Sequence, residues 1–402
     1  MANTFNNIKD APGIIAKAAA QTLKDNLVFC DTIDKADASD FDGKNGYKAG
    51  DTIYTSKPAR YVPQTAFDIT SSIQDSVEEK AALTLDTIST VGMEIDSFEF
   101  ATEVELKNTI KRFVVPAAES IAQNVESRFL TKATDATYQS VGTGGSNAFT
   151  VADVLAGRTM LNQSLAPTSD RRFLLNSASG ALAVADRKGL FQDSTELSKQ
   201  YKDGMIGRAD GFDWYENELI STHANGTDVD GVLVNDASFG EGESVLTIDG
   251  ASAVVTVGSV FTIAGVNKVH PITKVDTGEL QQFVATTESQ TSIGISPAIY
   301  AGSGGLQNVT ALPADNAALT FVGPASTALA QNIQYHKDAF KMVSVPLIMP
   351  TNAEVAAQET VDGITVAVIR DFDILKRRMI TRLDFLGGLS AVRPEWACRV
   401  TA

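Results

Sequence analysis

Three histidines, two cysteines and one aspartate-rich loop are the residues of this chain that could do chemistry, and their spacing assembles none of them into a site. His223, His270 and His336 are the whole histidine set. No HExxH spacing places two of them on one helical face as a catalytic zinc site requires, so they read as surface or hydrogen-bonded side chains. Cys30 and Cys398 stand at opposite ends of the chain, with neither a CxxC pair nor a Cys/His cluster; buried or inert thiols are expected. The run from Asp31 to Gly46 resembles a calcium loop only superficially. With Gly43 at the loop glycine, Asp40 and Asp42 fit, but Ala38 and Ala49 fall on the first and last ligand positions, so solvated carboxylates are the reading. Gly142 to Ser146 and Gly302 to Gly305 lack the Gly-Lys-Ser/Thr of a phosphate loop and read as turns, and no GxSxG occurs. No catalytic set, cofactor site or metal site is nominated, and the expectation is a protein that is not an enzyme.

Composition points the same way. The chain has 402 residues, 44% hydrophobic and 20% charged, which describes an ordinary folded protein of two or three domains. A net charge of -16 argues against a chain whose main task is gripping phosphates, since that needs clustered Lys and Arg. Lys376, Arg377, Arg378 and Arg382 make the one basic cluster, and a solvated strand face accounts for it most simply. No stretch approaches 18 apolar residues and the N-terminus has no basic, then apolar leader. A cytoplasmic product that does not enter membranes is expected, and the glycosylation-like triplets Asn225-Gly226-Thr227 and Asn308-Val309-Thr310 are then idle.

The elements that position everything else centre on Thr102 to Ala136, which reads as two helices in series. Thr102 and Glu105 have capping-box spacing, and Leu106, Ile110 and Phe113 share one face. Pro116 ends that helix and opens a second, on which Ala118, Ile121, Ala122, Val125, Phe129 and Ala133 form one stripe. Leu130 lies off the stripe, and Glu119 and Glu126 read as charges opposing the helix dipole. Upstream, Ile15, Ala18, Ala19, Thr22, Leu23 and Asn26 mark a helix that either packs on its own domain or docks on another chain. Gly50 to Val62 and Lys80 to Val91 read as two long paired strands. Such a hairpin leaves unpaired edges that its own domain or a neighbouring copy must cover. Met93, Ile95, Phe98 and Phe100 lead on as a strand.

After the long helix, Val151 to Leu165, Ser177 to Asp186 and Ser194 to Lys202 read as helices, with strands at Arg172 to Leu175 and around Phe212, Trp214 and Leu219. From Asn225 to Ala330 the helical period disappears. Short Val/Ile/Thr/Phe runs at Val245 to Ile248, Val260 to Ala264, Gln282 to Thr286 and Leu319 to Val322 alternate with turns at Asp249-Gly250, Asp276-Thr277-Gly278 and Gly302 to Gly305. This reads as an all-β insertion. Strands resume at Phe340 to Ile348, Ile364 to Ile369, Met379 to Phe385 and Trp396 to Val400, with Gly387-Gly388 as a turn.

That order of parts, together with Arg112-Phe113-Val114-Val115-Pro116-Ala117-Ala118, Phe261-Thr262-Ile263-Ala264-Gly265-Val266 and His336-Lys337-Asp338-Ala339-Phe340, resembles the P22-type coat proteins. Thr381-Arg382-Leu383-Asp384 and Val392-Arg393-Pro394-Glu395 add to the likeness. These are major capsid proteins of tailed bacteriophages with the HK97-like fold. The resemblance implies an α+β chain with an N-terminal arm (1–46), an extended loop and peripheral strands (47–100), a spine helix (101–136), an axial α/β domain (137–224), an inserted β-barrel-like domain (225–335) and returning strands (336–402).

It also implies a shell of hexamers and pentamers of the chain itself, built on a scaffolding protein in the bacterial host cytoplasm. Such a shell is filled with double-stranded DNA through a portal protein and ends as the virion capsid. Intersubunit contact is then expected at Lys57, Arg60 and Tyr61 on one side of the extended loop and Glu78 and Glu79 on the other. Scaffold contact is expected on the arm, at Asp10, Lys17 and Lys24. An alternative reading makes the chain a virion-surface or tail-associated protein whose β region recognises a ligand. Fibre-like repeats or a secretion signal would favour it, and neither is seen.

Overall fold

The computed structural model describes residues 11–35, 50–57, 61, 67, 70, 73, 79–94, 110–142, 149–186, 207–226, 230–251, 254–302, 304–353, 355–373 and 378–401. The chain divides into two compact units.

The first unit takes residues 1–54, 82–130 and 341–390. Its sheet has the order Asp34–Lys35, Phe340–Ser344, Arg378–Ala391, Ile364–Asp373, Val355–Val361, with Thr87–Glu94 also pairing to Arg378–Ala391. The hairpin between the last two strands turns on Asp362-Gly363, both at positive φ, with Val361 facing Ile364. An Asp-Gly pair is the sequence that a two-residue I′ turn demands. It was the missed signal for the strand Val355–Val361.

Helix Ala11–Asn26 lies on the outer two strands of this sheet, so one face of it packs on its own chain. Ile15, Ala16, Ala19, Ala20 and Leu23 are buried, so the face is turned from the expected one, Ala16 and Ala20 replacing Ala18, Thr22 and Asn26. Small alanines let the helix backbone come close to the sheet.

The helical chain does not break at Pro116; residues 101–109 of the first expected helix lie outside the described residues. A π turn, Ile110–Val114, runs straight into the α-helix Val115–Ala136. The wider turn makes room for a proline ring that would otherwise press on the carbonyl four residues back. Ile121, Ala122, Val125 and Phe129 are buried as the stripe predicts, but so are Leu130 and Glu126. Phe129 meets Phe385 edge to face at 6.5 Å. Gly387 and Gly388 lie inside the continuous strand Arg378–Ala391 instead of forming a turn. A side chain on Gly388 would run into the Thr84 carbonyl, and one on Gly387 would come within 2.9 Å of the Val343 carbonyl. Close backbone approach is the second reason a strand keeps glycine.

The expected long hairpin is shorter than its sequence pattern. Thr52–Lys57 pairs with Glu79–Thr84 as a separate two-stranded sheet, while Thr87–Glu94 leaves to pair with Arg378–Ala391, Val91 facing Leu383. One extended run thus serves two sheets.

The second unit takes residues 55–81, 131–340 and 391–402. One sheet orders Ser140–Val141, Ala397–Thr401, Leu329–His336, Arg171–Leu175, Phe212–Glu216 and Arg208–Ala209, with Thr222–His223 also on Leu329–His336. Phe173 is its packing centre, against Trp214 at 4.6 Å and Phe149 and Phe212 near 6 Å. Helix Val151–Gln163 starts on a capping box between Thr150 and Asp153, and helix Ser177–Asp186 follows Arg171–Leu175.

A second sheet is antiparallel throughout, in the order Leu233–Val234, Val245–Asp249, Ser292–Ser296, Asp276–Ala285, Val260–Val269, Leu319–Phe321. Leu246, Ile248, Phe261, Ile263, Phe283 and Ile295 fill its own core. The chain enters and leaves this region side by side: Leu329 faces His223, and Asn225 donates to the Val322 and Gly323 carbonyls. Asp276-Thr277-Gly278 is not the turn here. The turn precedes it, at His270 to Val275, where the Lys274 N–H donates to the His270 carbonyl. Asn267 faces Leu280 and Val269 faces Asp276, so Thr277 and Gly278 are the extra residues of a bulge.

Candidate assembly site

Among the described residues, the extended loop carries the most exposed of the large apolar side chains. Tyr54 is 66% exposed, Tyr61 57%, Ile73 79% and Phe67 109%. Large apolar side chains left this exposed along one segment are the residue type that interaction surfaces use. Of the residues expected to make contact there, Lys57 closes the strand Thr52–Lys57 half-buried, Tyr61 is exposed and Glu79 opens the partner strand. Arg60 and Glu78 lie outside the described residues.

On the N-terminal side, Asp10 lies outside them too. Lys17 is exposed on helix Ala11–Asn26, whereas Lys24 is engaged within the chain by an ion pair with Asp362. Hydrogen bonding and charge from that pair hold the Asp362 carboxyl below its ordinary range and the Lys24 ammonium above it. In the basic cluster, Arg382 donates to Asp384 at 2.6 Å, and Lys376 and Arg377 lie outside the described residues.

Two buried charges that sequence reasoning placed nowhere near function hold the chain together, one in each unit. Glu126 is fully buried and accepts from the backbone N–H groups of Phe29 and Cys30, at the start of the short helix Val28–Thr32. It ties the N-terminal segment to the long helix. Burial first and the Glu126 charge second push the Cys30 thiol far up, so it stays protonated.

In the second unit Arg399 is fully buried in the last strand. Its Nε donates to the Thr137 carbonyl at 2.8 Å and its Nη1 to the Gly258 carbonyl at 2.7 Å. One guanidinium thereby joins the residue after the long helix, the C-terminal strand and the turn that leads into the strand Val260–Val269. Asp135 is packed so closely on Gly258 that no side chain fits there, and Gly258 also needs its φ of +87°. His223 Nε2 lies 3.3 Å from Ser259 Oγ at the same joint.

Burial sets the electrostatics of this joint. It pushes the Asp135 carboxyl up to about 6 although Arg399 pulls it down. It brings the Arg399 guanidinium down to about 10, still charged at neutral pH. His223 falls to about 4, from burial and then the Arg399 charge.

The signs of Asp135 and His223 oppose. The fold holds Asp135's proton more tightly than the unfolded chain does, so this group's stabilising share is full below 3.8 and is lost as pH rises from there to about 6. The fold resists protonating His223, so that share is full above 6.5 and is lost as pH falls to about 4. Each amounts to about 3 kcal/mol at about 1.4 kcal/mol per pH unit, before solvent screening reduces it. They nearly cancel in the natural chain. Asp135→Asn removes one side of the balance, so between pH 6.5 and 4 the variant's stability should drop by about 2–3 kcal/mol relative to the natural chain. Urea midpoints across that range measure it; parallel curves would show that the pair is not coupled to folding.

The other histidines are spoken for. His336 is buried, accepts from the Asp338 N–H and meets Trp396 edge on at 5.2 Å; His270 accepts from the Ile272 and Thr273 N–H groups. Both thiols are buried, with Cys398 pushed up to about 12 by desolvation. Among the described residues no group of three or more His, Cys, Asp or Glu could hold a metal ion, and no helix is long and apolar enough to cross a membrane.

Comparison with known proteins places the chain as a whole. The family model described as "P22 coat protein - gene protein 5" matches residues 1–399. The chain belongs to the P22 coat protein family. It is a major capsid protein of a tailed bacteriophage, with the α+β architecture of that family, the HK97-like fold. No curated protein matches it. Among solved structures, it is similar to one from Mycobacterium phage Che8, at 10% identity, covering 93% of this chain and 90% of that one with a TM-score of 0.46. It is also similar to the CUS-3 coat protein I-domain, at 32% identity, covering 23% of this coat protein and 96% of that chain with a TM-score of 0.20. A bacteriophage PhiM1 mature capsid subunit aligns at 9% identity over 93% and 86% with a TM-score of 0.43.

Proposed function

We propose that this coat protein builds an icosahedral procapsid of hexamers and pentamers on a separate scaffolding protein, in the host cytoplasm, and that the shell then encloses double-stranded DNA delivered through a portal. The observation that carries this reading is the family match across residues 1–399. The extended loop is the main intersubunit contact in it, with Lys57, Arg60 and Tyr61 on one side and Glu78 and Glu79 on the other. The N-terminal arm, through Asp10 and Lys17, with Lys24 as a helper when its pairing to Asp362 opens, meets the scaffold. Residues 137–224 serve as the axial domain and 225–335 as the inserted one. A net charge of -16 keeps free subunits apart until nucleated and suits an inner face that holds DNA without gripping it.

Replacing residues 62–79 by a short Gly-Ser turn tests the central part. The variant should fold, with the circular dichroism and urea midpoint of the natural subunit, and should form no shells in negative-stain images when co-expressed with the scaffold. Shells at normal yield would refute the loop's role.

A further inference from the structure

A cleft of about 710 Å³ in the second unit lies at the base of the extended loop. This volume falls in the range of pockets that hold a small ligand or a few residues of peptide, about 300–1,000 Å³. Its charged lining is Lys57, Lys80, Lys268 and Arg393 against the single acid Glu395, an excess of cations in a chain whose net charge is -16. Lys268 is a built feature of the wall. It is largely desolvated, lies within reach of the Glu279 charge and reaches the Ser164 hydroxyl only at 3.5 Å. The guanidinium of Arg393 stacks on Trp396 at 4.1 Å, which fixes its place on the rim. The apolar part of the lining includes Pro271, Ile272 and Trp396, and Ile272 is exposed.

The loop tip has the complementary chemistry. Residues 62–79 contain Asp68, Asp75, Glu78 and Glu79 and not one Lys, Arg or His. Phe67 and Ile73 on the same segment stand in solvent, so the chain's own cleft does not hold them, although its own loop base, through Lys57, Tyr61 and Lys80, forms one wall.

We propose that the cleft of each subunit receives the loop tip of a neighbouring copy, Phe67 or Ile73 entering the apolar floor while the tip carboxylates meet Lys80, Lys268 and Arg393. Cleft and tip are different patches of one chain, so the contact is heterologous: each copy offers a tip forward and a cleft behind. Contacts of that kind close into rings when the rotation between copies allows. The inference deepens the proposed function and rests on the extended loop being an intersubunit contact; what it adds is the receptor.

Charge exchange in the full chain tests it. Lys80→Glu with Arg393→Glu should cut shell yield at least tenfold, and so should Asp75→Lys with Glu78→Lys. A chain carrying all four should recover to within about threefold of the natural yield. Shells at normal yield from the cleft variant, or no recovery in the combined chain, would overturn the proposal.

A second measurement avoids any folding defect of the reversed charges. Both natural cysteines are buried, so Phe67→Cys with Ile272→Cys introduces the only accessible thiols among the described residues. Oxidised shells of that double variant should give a ladder of covalent multimers, and either single variant should not. Shells that form without a ladder would sink the cleft assignment while leaving the loop contact standing. Normal shells from the chain lacking residues 62–79 would remove both.

Discussion

Arg399→Met should cost the free subunit about 3–5 kcal/mol, the range for removing one partner of a buried charged network. Arg399 is completely buried and satisfies the Thr137 and Gly258 carbonyls at once. Methionine fills much of the space but donates nothing, and it strands Asp135 without the cation that lowers its pKa. Three consequences separate this account from a generic packing defect. The Asp135 carboxyl should titrate higher in the variant, so its stability should decline with rising pH over a window extending above 6. Asp135→Asn added to Arg399→Met should recover part of the loss, a coupling that a double-mutant cycle isolates. Protease should cut near residues 225 and 327, where the chain enters and leaves the β region, before it cuts elsewhere. Urea melts of the four chains of the cycle decide the matter, and simple additivity would show that Arg399 acts only as bulk.

Glu126→Ala should have the second largest effect, about 3 kcal/mol, because it orphans the buried N–H groups of Phe29 and Cys30 together. Cys30 reports on it directly. Its thiol is shielded by burial and held protonated by burial and by the Glu126 charge, so losing Glu126 should both expose it and bring its pKa down. Thiol labelling at pH 8 should accelerate at least tenfold at Cys30. Cys398, buried in the other unit, should keep its natural rate as an internal reference. Glu126→Gln keeps one acceptor oxygen and should fall between the two chains. Unchanged labelling in Glu126→Ala would mean that the N-terminal segment is held by its apolar contacts alone.

Both predictions concern residues whose role sequence reasoning passed over, and the reason is the same. Glu126 sits on a helix where the heptad-like stripe and the order of charges describe it equally well as a surface acid. Only the N–H groups 97 and 96 positions earlier make it buried. Arg399 follows a buried cysteine in a five-residue strand that is buried throughout. No spacing rule marks a cation there for carbonyls 262 and 141 positions away.

Gly387-Gly388 failed in the opposite direction. Local rules make a turn of two glycines, but the pressure that keeps them comes from carbonyls on other strands, and the strand runs on through them. The Asp362-Gly363 hairpin is legible locally, since its signal is the dipeptide itself.

What the amino-acid sequence determined by itself was everything with a short period: the apolar stripe of the long helix, the capped helix after Thr150, the alternating strands between Val245 and Phe321, and the acidic, cation-free tip of the extended loop. Those are encoded by neighbours within a few residues, where rise, twist and turn chemistry set the rules. Tertiary structure alone decided that one extended run is shared between two sheets, that Lys24 turns inward to Asp362, that Glu126 and Arg399 are buried, and that Lys57, Lys80, Lys268 and Arg393 line one cleft. A charge is buried or exposed according to what the rest of the chain brings to it. That is a sum over distant partners, and no local pattern carries it.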